Sequence, residues 1–267
     1  MPYVHGYTQR EIQRLLEQSL ILEELLHSGT CYPEGSRVLE VGCGVGAQTS
    51  ILARRNPGAM IHALEISEES IARARELATR EGLKNIEFIN ADLYEYNLKP
   101  GSFDHVFVCF VLEHLDDPVK ALNILHEALV KGGSVTVIEG DHGSGFWTPE
   151  TVESRLAWNG LIQSQRELGH DPNIGRRIYP LLKKAGFSRQ KVTPRWVYAD
   201  QSDHKLLDGV IKQIIVPMVY SAEGRVLGSK RMDKDTWERG LKDIGNVSGH
   251  PEGTFFYTWF KGVGIKE

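Results

Sequence analysis

The sequence predicts an α/β fold: a mostly parallel sheet of seven strands with helices on both faces, an N-terminal helical extension and an inserted helical cap. Three observations predict it. Strand-length apolar runs alternate with helix-period segments from residue 37 to residue 140, and such alternation implies parallel strands joined by right-handed crossovers. The run FDHVFVCFV (103–111) is almost continuously apolar, as expected of a strand covered on both faces. The first strand, RVLEV, runs into the glycine-rich GCGVGA before a helix-like pattern begins. That is how a Rossmann-like nucleotide-binding turn reads.

The elements follow in order. Thr8 and Glu11 have capping-box spacing, and Ile12, Leu15, Leu16, Leu22, Leu25 and Leu26 mark one face of a helix that Gly29 stops. AMIHALEIS (59–67) is a second strand, and Ser67 with Glu68 and Glu69 suits the start of the next helix. IEFINAD (86–92) is a third strand. After the fourth, Asp117-Pro118 is an N-cap and N1 pair, and KGGSVTVIEG (131–140) gives a fifth strand. Beyond residue 141 the rhythm changes. Residues 148–170 and 175–187 read as helices, 188–199 and 254–266 as two last strands. Between those strands, Leu206–Val219 and Lys230–Leu241 read as helices, with Pro217 kinking or ending the first. The whole chain, 1–267, is read as a single domain: an extension (1–36), a core (37–140) and a remainder (141–267) whose insertion, 203–243, is long enough for a lid.

Composition excludes several classes. With 31 basic and 35 acidic residues the net charge is −4, so there is no basic excess for nucleic acid. No apolar run approaches a membrane span, and MPYVHGYTQRE has no signal-peptide core. Cys31, Cys43 and Cys109 make neither a disulfide framework nor a zinc motif. A cytoplasmic protein, monomeric or homodimeric, with no metal, is the expectation.

The glycine turn leaves the ligand open on its own, because Gly42-x-Gly44-x-x-Ala47 also satisfies the dinucleotide fingerprint. Two acids decide. Glu40 stands two positions before Gly42, where a pyrophosphate would meet a carboxylate in a poorly solvated cleft. Asp92 ends the third strand and suits an adenine amino group. With Glu65 they line the C-terminal ends of three successive strands, where open α/β sheets bind ligands. Such a mouth fits an adenosine compound that carries positive charge rather than phosphate.

The stretches VLEVGCGVGAQTSILA (38–53), ALEIS (63–67), NADLYEY (90–96), FDHVFVCFVLEHLDDP (103–118) and ALVKGGSVTVIE (128–139), in that order and spacing, resemble class I S-adenosylmethionine-dependent methyltransferases, of the small-molecule type related to ubiquinone/menaquinone-biosynthesis enzymes. The resemblance implies S-adenosylmethionine as methyl donor, S-adenosylhomocysteine as product and a small-molecule acceptor. It implies that Glu40, Gly42, Cys43 and Gly44 hold the methionine portion, Glu65 the ribose, Ile66 the adenine face, and Asp92 with the Leu93 backbone the adenine edge. Cys109 and Phe110 would meet the amino group or the sulfonium, and Tyr7 and Gln18 of the N-terminal helix are further contacts.

Methyl transfer asks chiefly for alignment and exclusion of water, with a base only where the nucleophile carries a proton. The candidates near the ends of strands four and five are His142, Asp141 and His114, with Glu113 beside the last. Two other functions stay open at this level: an NAD(P)-dependent oxidoreductase, and a non-catalytic S-adenosylmethionine-binding protein.

Overall fold

A computed structural model describes residues 9–267 of the chain, with side chains from residue 12. In chain order the elements are α1 (Gln9–Ile21), α2 (Glu23–His27), β1 (Arg37–Val41), α3 (Ala47–Arg55), β2 (Met60–Glu65), α4 (Glu68–Arg80), β3 (Ile86–Asn90), β4 (Phe103–Cys109), α5 (Pro118–Ala128), β5 (Leu129–Thr148), α6 (Val152–Glu167), α7 (Ile178–Lys184), β6 (Ser188–Asp200), α8 (His204–Asp208), a π-helical segment (Gly209–Ile215), α9 (Val216–Tyr220), α10 (Glu223–Gly228), α11 (Lys234–Asn246) and β7 (Thr254–Ile265). The sheet has seven strands in the order β3-β2-β1-β4-β5-β7-β6, with β7 antiparallel. This is the Rossmann-like arrangement that the alternation predicts.

Packing divides the chain into two compact units. The first comprises residues 23–140, 174–195 and 259–267. Its parallel strands run in close register: Val41 pairs with Leu64 on one side and Val108 on the other, and Glu65 pairs with Asn90. The C-terminal ends of β1 to β4 are therefore level, which brings the end of each strand to the same edge of the sheet. One core cluster joins Leu39, Val106, Val108, Val135 and Val137 of the strands to Leu122 and Leu125 of α5 and Leu181 and Leu182 of α7. Each such side chain contributes about 2 kcal/mol by leaving water. Ser67 accepts a hydrogen bond from Ser70 N, and Asp117 from Lys120 N, so both caps legible in the sequence form.

Among the described residues, the second unit comprises 9–22, 141–173 and 196–258. Here α11 packs along α6, and Gly240 lets them meet closely: a Cβ there would lie 2.3 Å from Glu153 O. Trp158 and Trp237 are fully buried.

Three elements differ from the sequence reading. The single helix expected to end at Gly29 breaks at Leu22 into α1 and α2. The fifth strand does not end near residue 140 but continues to Thr148. Pro217 neither kinks nor ends its helix in the ordinary way, since it sits at the start of α9 directly after the π-helical turn. A proline lacks the N–H that an α-helical register would need there, and the wider turn absorbs the loss. Among the described residues no helix is long and apolar enough to cross a membrane.

Candidate functional site

The turn after β1 is the best-defined feature of the first unit. Gly42 N and Cys43 N both donate to Leu64 O, at 2.8 and 3.1 Å, which folds the chain back over the end of β2. Gly42, Gly44 and Gly46 all have positive φ (68, 52 and 83°), a region costly for side chains. Gly42 also has no room for one, since a Cβ would fall 2.6 Å from Val111 Cγ2. At Gly44 nothing lies within 4 Å of where a Cβ would be, so the backbone presents an open face on which a ligand can lie closely. Gly46, absent from the G-x-G-x-x-A reading, caps α3 and packs on Ala74. The spacing 42, 44, 46 in GCGVG was its signal.

Around this turn stand the acids. Glu40 is 2 % exposed. Burial pushes its carboxyl up to about 7; the nearby Thr49 hydroxyl opposes this and the Glu65 charge adds to it. The Thr49 hydroxyl falls short of hydrogen-bond geometry, and Glu40 Oε2 is buried with no partner among the described residues. Glu65 is buried and already engaged: Oε2 accepts from Gly44 N (3.0 Å) and Oε1 from Ser67 N (2.9 Å). It thus ties the glycine turn to the end of β2. Asp92 is half-buried and accepts from Tyr94 N at 2.8 Å. Asn90, which the sequence reading passed over, donates to Glu65 O and Ile66 O and so locks the ends of β2 and β3 together. Ile66 is 58 % exposed, an unusual position for isoleucine and one that suits a flat apolar ligand. Leu93 is buried in the core cluster, leaving its backbone for recognition. Cys43 and Cys109 are buried, and burial raises both thiols well above their ordinary range, which disfavours the thiolate form. Phe110 follows Cys109 with φ 59°.

The contacts expected of the N-terminal helix are Tyr7 and Gln18. Tyr7 lies outside the described residues. Gln18 belongs to the second unit, where it is buried and accepts from Arg14.

The base candidates fall into two groups. In the first unit His114 Nε2 lies 3.5 Å from Glu113 Oε1 on a short 3₁₀ turn (Leu112–His114). In the second unit Asp141 and His142 sit within β5, which continues past the end expected near residue 140. Asp141 accepts from Gly143 N (3.1 Å). His142 is held on several sides: Nδ1 lies 2.6 Å from Tyr257 OH, its N–H donates to Pro172 O, and its carbonyl accepts from Trp158 Nε1 at 3.0 Å. Tyr257 gave no signal in the sequence, being one aromatic among several in an alternating strand. Glu139 did give one, an acid inside the apolar run VTVIEG.

Comparison with known proteins decides the family. A methyltransferase-domain family model matches residues 33–186. The chain belongs to this family. It carries the fold of a class I S-adenosylmethionine-dependent methyltransferase, and the dinucleotide reading that the glycine spacing allowed is set aside. Individual relatives match 64 to 94 % of the chain. A protein of Synechococcus sp. is 32 % identical over 176 residues, covering 64 % of this chain and 41 % of that protein. An uncharacterized methyltransferase of Schizosaccharomyces pombe is 26 % identical over 241 residues, covering 83 % of this chain and 81 % of its own length. The solved phosphoethanolamine N-methyltransferase 2 of Haemonchus contortus superposes with a TM-score of 0.58 at 18 % identity, covering 94 % of this chain and 56 % of that one. This chain thus spans about half or less of two of these three relatives.

The residues of the turn fit S-adenosylmethionine, the cofactor of this methyltransferase class. The open face at Gly44 permits close backbone approach, and the unpartnered oxygen of Glu40 offers an acceptor to an ammonium group. Among the described residues no group of three or more His, Cys, Asp or Glu could hold a metal.

Proposed function

We propose that this chain methylates a small-molecule acceptor, with S-adenosylmethionine as donor. The observation that carries the reading is the buried, unpartnered carboxyl oxygen of Glu40 beside an open glycine backbone. A pyrophosphate would be repelled there, whereas an aminoacyl sulfonium compound supplies a donor for that oxygen. When bound, the donor supplies an electrophilic methyl group on a positively charged sulfur.

The protein's own residues then bind and orient. Glu40 takes the ammonium group. The Gly42–Gly44 backbone lies along the methionine chain. Glu65, fixed by Gly44 N and Ser67 N, retains lone pairs for ribose hydroxyls. Ile66 covers the adenine face, and Asp92 accepts from its amino group. Cys109 and Phe110, at the end of β4, meet the amino group or the sulfonium in this reading. Where the acceptor carries a proton, His142 is the leading group to receive it, since its contact with Tyr257 OH fixes the ring. His114 beside Glu113 is the second, and Asp141, committed to Gly143 N, the third.

A small acceptor is supported by the acidic balance of the chain and by the printed names of relatives. These include the phosphoethanolamine N-methyltransferase above and a ubiquinone biosynthesis O-methyltransferase of Azotobacter vinelandii, 32 % identical over 107 residues. The test is transfer of a labelled methyl group from S-adenosylmethionine to a panel of small amines, phenols and carboxylates. Label in an extractable product that depends on the protein supports the proposal. Tight donor binding with no labelled product from any acceptor makes this a binding protein instead.

A further inference from the structure

Glu139 lies near the middle of β5 with no exposure to solvent. Its Oε1 accepts two backbone N–H groups, from Val111 (3.0 Å) and Leu112 (2.7 Å). These belong to the turn that leaves β4. The preceding residue, Phe110, donates its N–H to Ile138 O (2.9 Å) and holds φ at 59°. A non-glycine residue in that region persists only where its surroundings hold it. On the far side of the same turn, the Val111 side chain fills the space a Cβ at Gly42 would need, with Cγ2 2.6 Å from that point. A continuous path of contacts therefore runs from Glu139, through Val111, to the first glycine of the donor-binding turn, all of it inside one compact unit.

We infer that Glu139 is a positioning residue for donor binding: it sets the Val111–Leu112 backbone, and Val111 in turn sets Gly42. The inference rests on the assignment of the glycine turn to S-adenosylmethionine. Burial, with Glu113 adjacent, raises the Glu139 carboxyl well above the ordinary range, although the backbone N–H groups oppose it. The second oxygen, Oε2, is buried with no partner among the described residues. The turn's two N–H groups both use Oε1, so a side chain with one accepting oxygen at that place is sufficient for the role. Glutamine preserves that oxygen, alanine deletes it, and aspartate falls a methylene short.

The experiment is calorimetric titration with S-adenosylhomocysteine of the full chain and its Glu139→Gln, Glu139→Ala, Glu139→Asp and Val111→Ala variants. Melting temperatures are measured in parallel. Glu139→Gln is expected to bind within about twofold of wild type. Glu139→Ala and Glu139→Asp are expected to lose about tenfold or more, the consequence of freeing two backbone donors. Val111→Ala loses affinity at nearly unchanged melting temperature, and the Glu139→Ala/Val111→Ala double variant binds no worse than Glu139→Ala alone. If Glu139→Ala does not fold, Glu139→Gln and Val111→Ala still decide. Wild-type affinity in Val111→Ala, or affinity lost in Glu139→Gln, overturns the inference. No binding of S-adenosylhomocysteine by the wild type overturns the donor assignment, and the positioning role with it.

Discussion

The two compact units bury polar groups in different ways. In the first, a carboxyl oxygen each of Glu40, near the end of β1, and Glu139, near the middle of β5, is buried without a partner among the described residues. Positive-φ glycines lie beside Glu40, with open space in front of Gly44. In the second, most buried polar atoms close on neighbours within the unit. His142 meets Tyr257, Trp147 Nε1 donates to Ser154 Oγ, Thr151 donates to Asp243 and Ser248 to Asp208; Trp237 Nε1 is an exception. Unfilled hydrogen-bonding capacity is expensive to leave buried, so it marks where a ligand completes the structure. Closed networks mark where the chain completes itself. The difference supports the proposal that the donor binds in the first unit, and it predicts that substitutions in the two units are read out differently.

The largest expected effect is on stability alone. Gly240→Ala places a Cβ 2.3 Å from Glu153 O between two packed helices and is expected to cost about 3 kcal/mol in chemical denaturation. At temperatures where it stays folded, donor affinity is unchanged. A large loss of affinity would break the separation of roles.

Next in size is a pH effect on the ligand-free protein. The Glu40 carboxyl is raised from 4.5 to about 7 by burial, so the folded state holds that proton more tightly than the unfolded state. Its contribution is complete below about pH 4.5 and is lost as pH rises through 7, amounting to about 3 kcal/mol by pH 8. His27 acts in the opposite sense. Burial lowers it to about 4, so its contribution is lost on acidification below 6.5. The Glu40 part is therefore the difference between wild type and Glu40→Gln, measured by denaturation at pH 5 and pH 8. Equal differences at the two pH values would contradict it.

Gly42→Ala sharpens the comparison from the other side. The positive φ and the clash with Val111 should weaken S-adenosylhomocysteine binding by about 30-fold. The smallest effect is that of Tyr257→Phe, which removes the 2.6 Å contact with His142. It should lower stability by about 1 kcal/mol and leave donor affinity at the wild-type value. If His142 receives the acceptor's proton, the same variant shifts the pH profile of turnover.

The first unit was largely legible in the sequence because its signals are local. Apolar runs gave β1 to β4, Ser67 and Asp117 gave two caps, and the glycines gave the turn. The second unit was less so, because its glycines serve packing rather than turns. The glycine-rich EGDHGSG follows the expected end of the fifth strand, yet it lies within β5, where a Cβ at Gly145 would fall 2.6 Å from the Trp158 ring. That contact joins residues 13 apart along the chain, and no local pattern announces it. For the same reason nothing local shows that Asp141 and His142 belong to β5, or that Tyr257 meets His142 across 115 residues. Glu139 was readable as an acid in an apolar strand, but its role depends on the turn after β4, which only the folded chain brings to it.

The most direct measurement is calorimetric titration of the wild type and Asp92→Ala with S-adenosylmethionine, S-adenosylhomocysteine and NADH. The wild type is expected to bind the first two and not NADH, and Asp92→Ala to bind them about tenfold more weakly. Binding of NADH alone would show that the glycine turn holds a dinucleotide and that the acids at the strand ends have been misread.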